Sequence, residues 1–215
     1  MQAYMKSQMR YLGIQTVPFR KAAKAVLATY PVDSFEDWRD AVIELWRKAR
    51  FREERYAAIE LVGYGKYREL RTLDALAIYE EMITTGAWWD LVDSIAANRL
   101  GELLREHPRE MRRILRGWAI ADDIWKRRSA IIAQLKFKKD TDLKLLYECI
   151  RPSLDRKEFF LRKAIGWALR QYGWTDPKEV VRYVKDHESR LSPLSRREAL
   201  INISGERARR RAAST

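Results

Sequence analysis

Helical periodicity runs through this sequence with almost nothing to interrupt it, and that restricts the fold more than any other feature. Apolar residues recur at three- and four-residue spacing, as in Phe35, Trp38, Val42, Leu45 and Trp46. That interval collects them on one face of an α-helix. No stretch alternates apolar and polar residues for long, so strand signals are nearly absent. Gly and Pro, 9 and 6 residues in a chain of 215, fall at punctuation points. Asp33 and Ser34 are N-cap candidates before Phe35. Further helices are predicted over 55–63, 73–85, 88–104, 108–118, 142–150, 156–172, 177–187 and 193–203, with another capped by Asp122 or Asp123 and running to Lys138.

A helical chain with short connections invites a search for repeats. Arg128-Ser129-Ala130-Ile131, Arg162-Lys163-Ala164-Ile165 and Arg197-Glu198-Ala199-Leu200 are successive copies of one signature. Arg55-Tyr56-Ala57-Ala58-Ile59 looks like an earlier copy, and a step of the same length back from Arg128 lands on Asp93. A period of about 35 residues, with two helices per unit, predicts an all-α fold: an α-solenoid of HEAT-like helical repeats with a concave basic groove. The expected organisation is one domain over 1–204 and a small, polar, basic tail over 205–215, expected to be disordered. The arginines that open the repeated helices form a track for a phosphate backbone, or they brace adjacent repeats; the two readings are compatible.

Charge narrows the partner. Lys and Arg number 43 against 30 Asp and Glu, a net charge of +13. That excess points first to nucleic acid and second to an anionic membrane surface. No window is apolar for long enough to span a bilayer, and the first residues lack the apolar run of a secretory signal, so the expected location is cytoplasmic. Cys149 stands alone, and His107 and His187 are far apart, so no disulfide, zinc framework or His-based metal site is expected. There is no phosphate-binding loop, dinucleotide fingerprint or nucleophile elbow. A hydrolase made from this chain would rely on a carboxylate, without metal or cofactor.

Asp93 is the anomaly, because it sits where the other copies carry arginine. Trp89 lies one helical turn before it, on the same face. A carboxylate beside an indole face stabilises a positive centre, by Coulomb attraction and by the ring quadrupole. An interior Trp and an Asp paired with an arginine such as Arg128 would produce the same spacing. Trp167 is either core filler or a second such ring. Its neighbour Gly166 is unusual inside a helix, where Gly costs about 1 kcal/mol relative to Ala. Close approach of another backbone or of a ligand would account for it.

Several segments together resemble the AlkD family of bacterial DNA alkylation repair enzymes. They are Trp88-Trp89-Asp90-Leu91-Val92-Asp93-Ser94-Ile95, Trp125-Lys126-Arg127-Arg128-Ser129-Ala130-Ile131, Gln134-Leu135-Lys136 and Arg162-Lys163-Ala164-Ile165-Gly166-Trp167-Ala168-Leu169-Arg170. The match also takes in Tyr4-Met5-Lys6, Leu12-Gly13-Ile14-Gln15-Thr16 and Leu194-Ser195-Arg196-Arg197-Glu198-Ala199-Leu200, covering nearly the whole chain in order. The resemblance implies a monomeric, cofactor-free bacterial glycosylase, associated with the nucleoid. It would remove N3- and N7-alkylated purines from double-stranded DNA, without flipping the damaged base into a pocket. It assigns Asp93 as the catalytic carboxylate, Trp89 and Trp167 as flanks of the lesion's deoxyribose, and Arg128 to the backbone near the lesion. Tyr4, Lys6, Gln15, Lys136, Arg162 and Arg170 would be further DNA contacts. The alternative expectation is a non-catalytic repeat scaffold that binds nucleic acid or an acidic protein.

Overall fold

The computed structural model describes residues 2–204; the basic tail expected over 205–215 lies outside them. The described residues are all-α, built of helical repeats, and contain no strand; an isolated parallel bridge joins Arg10 to Phe51. They group into two compact units, one ending at Gly86 and the other beginning at Ala87.

The first unit holds α1 (Gln2–Met5), α2 (Thr16–Thr29), α3 (Phe35–Arg47), α4 (Arg52–Gly63) and α5 (Leu76–Gly86), with 3-10 turns at Gly65–Leu70 and Leu73–Ala75. Ser34 caps α3 as expected, its hydroxyl accepting from the Asp37 amide at 3.0 Å. Trp38, Val42 and Trp46 of α3 are buried with Ala58, Leu61 and Val62 of α4 and Met82 and Ile83 of α5. The sequence reading passed over α2. Gln15 at its N-cap makes no side-chain cap bond, Leu27 is its buried residue, and Pro18 reads as a breaker. In the first turn a proline is harmless, because its missing N–H has no partner there anyway.

The second unit runs α6 (Trp89–Ile95), α7 (Gly101–Glu106), α8 (Pro108–Ala119), α9 (Ile124–Ile132), α10 (Leu143–Ile150), α11 (Phe159–Tyr172), α12 (Pro177–Asp186) and α13 (Pro193–Ser204). Helix α8 packs on α10, while α6 packs on α9, α9 on α11 and α11 on α13. Three boundaries differ from expectation. A π-helical turn, Ala96–Leu100, interrupts the helix predicted over 88–104. Asp123 caps α9, but the helix stops at Ile132 rather than reaching Lys138. Gln134 instead bonds both backbone groups of Asp142, which turns the chain into α10. Helix α11 starts at Phe159 because Glu158 takes extended backbone.

The repeat shows itself as bonds between one repeat and the next. In the first layer Arg112 pairs with Asp142 at 2.9 Å, Arg116 with Glu148 at 2.6 Å, and the Tyr147 hydroxyl donates to Glu179 at 2.6 Å. In the second layer Asp93 bonds Arg128, Arg128 bonds the Phe160 carbonyl, and Ser195 and Glu198 bond Arg162 and Lys163. The partners stand 30 to 35 residues apart, one repeat period. At Gly166 the approach is closest: a Cβ there would lie 2.9 Å from the Ser195 carbonyl oxygen and 2.4 Å from the Glu198 Cβ. The mid-helix glycine serves backbone-to-backbone contact between α11 and α13.

Candidate active site

Helix α6 starts at Trp89, with the Trp88 carbonyl accepting from the Leu91 and Val92 amides at 3.2 and 3.0 Å. Leu91, Val92 and Ile95 are fully buried. Trp89 and Asp93, one turn apart, fall along the edge of that stripe, and Trp89 remains 36% exposed. Helix α9, packed against α6, brings Arg128 to Asp93. Its Nε donates to Oδ1 and its Nη2 to Oδ2, both at 2.7 Å. The carboxylate is 13% exposed and the guanidinium 5%. The pairing that spacing alone left open therefore exists, in the bidentate form that fixes a carboxylate in orientation as well as in charge.

A third bond from Arg128, Nη1 to the Phe160 carbonyl at 2.6 Å, carries the arrangement to α11. The Phe160 ring lies 5.2 Å from Trp88 and 4.9 Å from Trp125, and the Arg128 guanidinium stands 6.0 Å from its centroid. Trp88, the residue before α6, enters this aromatic cluster. Sequence reasoning did not find Phe160; the aromatic doublet Phe159-Phe160 at the start of a helix was the available signal. Burial pushes the Asp93 carboxyl above its ordinary range, and the hydrogen bonds and charge of Arg128 pull it back without cancelling the effect.

The other candidates are dispersed. Trp167, on α11 about two turns beyond Phe160, is half-buried. Arg170 and Lys163 both bond the buried Glu198, at 3.0 and 2.8 Å. Arg162 donates to the Arg156 carbonyl at 3.1 Å. Lys136 is exposed and donates to Asn98, whose own amide reaches the Ser94 carbonyl at 2.5 Å. In the first unit Tyr4, Lys6 and Gln15 are exposed. Arg55, the early copy of the arginine row, lies 4.7 Å over the Trp46 ring and bonds the Thr85 carbonyl at 3.2 Å. Bracing across repeats is thus observed for Arg55 and Arg128, while the Arg162 side chain bonds within its own repeat and Arg197 is exposed.

Among the described residues no group of three or more His, Cys, Asp or Glu side chains could hold a metal ion, and no helix is long and apolar enough to cross a membrane. The Cys149 thiol is buried and its pKa is pushed up to about 12, so it is not a ready nucleophile.

Residues 1–203 match the family model described as DNA alkylation repair enzyme. Among solved structures, a predicted DNA alkylation repair enzyme from Enterococcus faecalis is 31% identical and superposes with a TM-score of 0.83. The match covers 95% of this chain and 93% of that one. Among curated proteins nothing matches.

Proposed function

We propose, from the premise that this chain belongs to the DNA alkylation repair enzyme family, that it is a monofunctional DNA glycosylase for cationic N3- and N7-alkylated purines. The observation that carries this reading is the oriented, largely buried carboxylate of Asp93 one turn from a part-exposed indole in a strongly basic chain. The substrates are 3-methyladenine and 7-methylguanine in duplex DNA, and the protein acts on them as a monomer without a cofactor.

An alkylated purine cation is already a good leaving group. When the C1′–N bond breaks, the electron pair moves onto the base and neutralises it, so no acid has to protonate the leaving group. Positive charge develops on C1′ and the ring oxygen of the deoxyribose. Asp93 supplies negative charge against it, and Trp89 and Trp167 supply ring faces. Water then bonds to C1′ and gives its proton to Asp93 or to solvent. The products are a free base and an abasic site. Water adds directly to the sugar, and the base need not leave the stack for an enclosed pocket.

In this reading Arg128 has a positioning role. Three of its five N–H donors are engaged inside the protein, which leaves two for a phosphate near the lesion. Lys136, Arg162 and Arg170 supply phosphate contacts from the second unit, and Tyr4, Lys6 and Gln15 from the first.

The test is incubation with methylated duplex DNA followed by chromatography of the free bases. Wild-type protein is expected to release 7-methylguanine or 3-methyladenine. Asp93→Asn keeps one acceptor for Arg128, so it is expected to bind duplex while releasing nothing above the uncatalysed rate. Full activity in that variant refutes the assigned role. Salt-sensitive binding by wild-type protein with no base release favours the non-catalytic scaffold.

A further inference from the structure

We propose that Glu53 is a positioning residue for DNA binding, because its buried carboxylate gathers the Leu12, Gly13 and Ile14 amides and so fixes the loop that presents Gln15. The proposal rests on the reading of Gln15 as a DNA contact. Glu53 is only 3% exposed, in the first turn of α4. Its Oε2 accepts from the Leu12 amide at 3.0 Å, and its Oε1 from the Gly13 and Ile14 amides at 2.9 and 3.3 Å. Gly13 has φ +84°, left-handed backbone that lets successive N–H groups turn toward one acceptor. Two further bonds moor the segment to α4. The Arg52 amide donates to the Arg10 carbonyl at 2.8 Å, and the Tyr11 and Tyr56 hydroxyls meet at 3.3 Å.

What this latch holds in place argues for a partner. Leu12 and Ile14 are 54% and 42% exposed, so ordering the loop buries little apolar surface for the protein itself. A buried carboxylate is costly to desolvate, and here it orders side chains that face solvent. Gln15 follows at once. Its side chain makes no cap bond to α2, and the next turn of that helix brings the exposed Lys21 beside Arg20, which is exposed and pairs with Glu60 at 2.9 Å. An exposed amide beside apolar side chains and cations suits a duplex groove flanked by phosphates.

The test is a double-mutant cycle on the full-length protein, read as the dissociation constant of a fluorescein-labelled methylated duplex. Glu53→Gln preserves shape and one strong acceptor; Glu53→Ala removes the latch. Gln15→Ala alone is expected to weaken binding by about fivefold. In the Glu53→Ala background the same change is expected to cost less than twofold, because Gln15 is no longer held in place. Glu53→Gln falls between the wild type and Glu53→Ala, and its loss shows in KM more than in kcat. Additive effects of Glu53→Ala and Gln15→Ala overturn the proposal. Should Glu53→Ala fail to fold, the cycle is run with Glu53→Gln, where additivity overturns it equally. The cycle reads binding alone, so a wild type that binds duplex yet releases no base defeats the glycosylase reading and leaves this one standing.

Discussion

Gly166→Ala is expected to destabilise the protein although it improves helix propensity, and the two effects can be set against each other. In the interior of a helix, alanine is worth about 1 kcal/mol over glycine. Against this, the new methyl group would lie 2.4 Å from the Glu198 Cβ, 2.9 Å from the Ser195 carbonyl oxygen and 3.2 Å from the Ser195 Cα. None of these atoms is the far end of a flexible side chain, so α13 itself must move. Overpacking of this kind costs about 1–3 kcal/mol. Displacing α13 also stretches the bonds from Lys163 and Arg170 to Glu198 and from Ser195 to the Arg162 carbonyl. A net loss of about 2 kcal/mol is expected, a fall in Tm of roughly 4–8 °C for a chain of this size. Gly117→Ala is the comparison. Gly117 is an exposed residue of α8 with nothing within 4 Å of an added Cβ, so alanine there should gain up to about 1 kcal/mol. Thermal melts and urea titrations of both variants give the answer, with m unchanged and the two midpoints displaced in opposite directions. A Gly166→Ala protein that melts at or above the wild type would refute the reasoning, since the glycine would not be there to admit α13.

Arg128→Met leaves Asp93 buried without its partner and is expected to cost about 3–5 kcal/mol in urea titrations. It also removes the influences that pull the Asp93 carboxyl down, so the acid limb of base release should move to higher pH; an unmoved limb would show that Arg128 does not hold Asp93 ionised. In the wild type, burial raises the Asp93 carboxyl above its unfolded value. As pH falls through the folded value the native state takes up its proton first, so this group's contribution to stability rises while base release falls. Melts of wild type against Asp93→Asn across that window, beside a pH–rate profile, check the opposed signs. Lys136→Gln is expected to weaken damaged and undamaged duplex alike and to reduce the salt slope of binding by about one phosphate contact.

Much of the second unit was legible because its logic is periodic. A carboxylate one repeat before an arginine became a bidentate pair, and a glycine inside a helical pattern became the closest helix contact. Features set by non-periodic or distant contacts were hidden. Pro18 disguised α2, since a proline reads as a breaker unless the helix start is known. The π turn at Ala96–Leu100 falls in a run where Ala96, Ala97 and Leu100 are all buried, so the apolar pattern does not mark it. Glu53 lies outside the helix expected over 55–63, and only the folded chain brings Leu12, Gly13 and Ile14 to it. Phe160 enters the site through its main-chain carbonyl, an atom that every residue possesses.

The bonds between successive repeats have a mechanical consequence. Each ties a helix to its neighbour, so the second unit behaves as a row of links in which opening propagates from an end. Helix α13, the last link among the described residues, packs on α11 and α12. Arg128 is an interior link, clasping α6 with one edge of its guanidinium and α11 with the other. Parting α6 from α9 breaks both Arg128–Asp93 bonds at once, while the third bond keeps the guanidinium docked on α11. The carboxylate keeps its orientation through fluctuations that loosen α13 from α11, because no Arg128 bond crosses that junction.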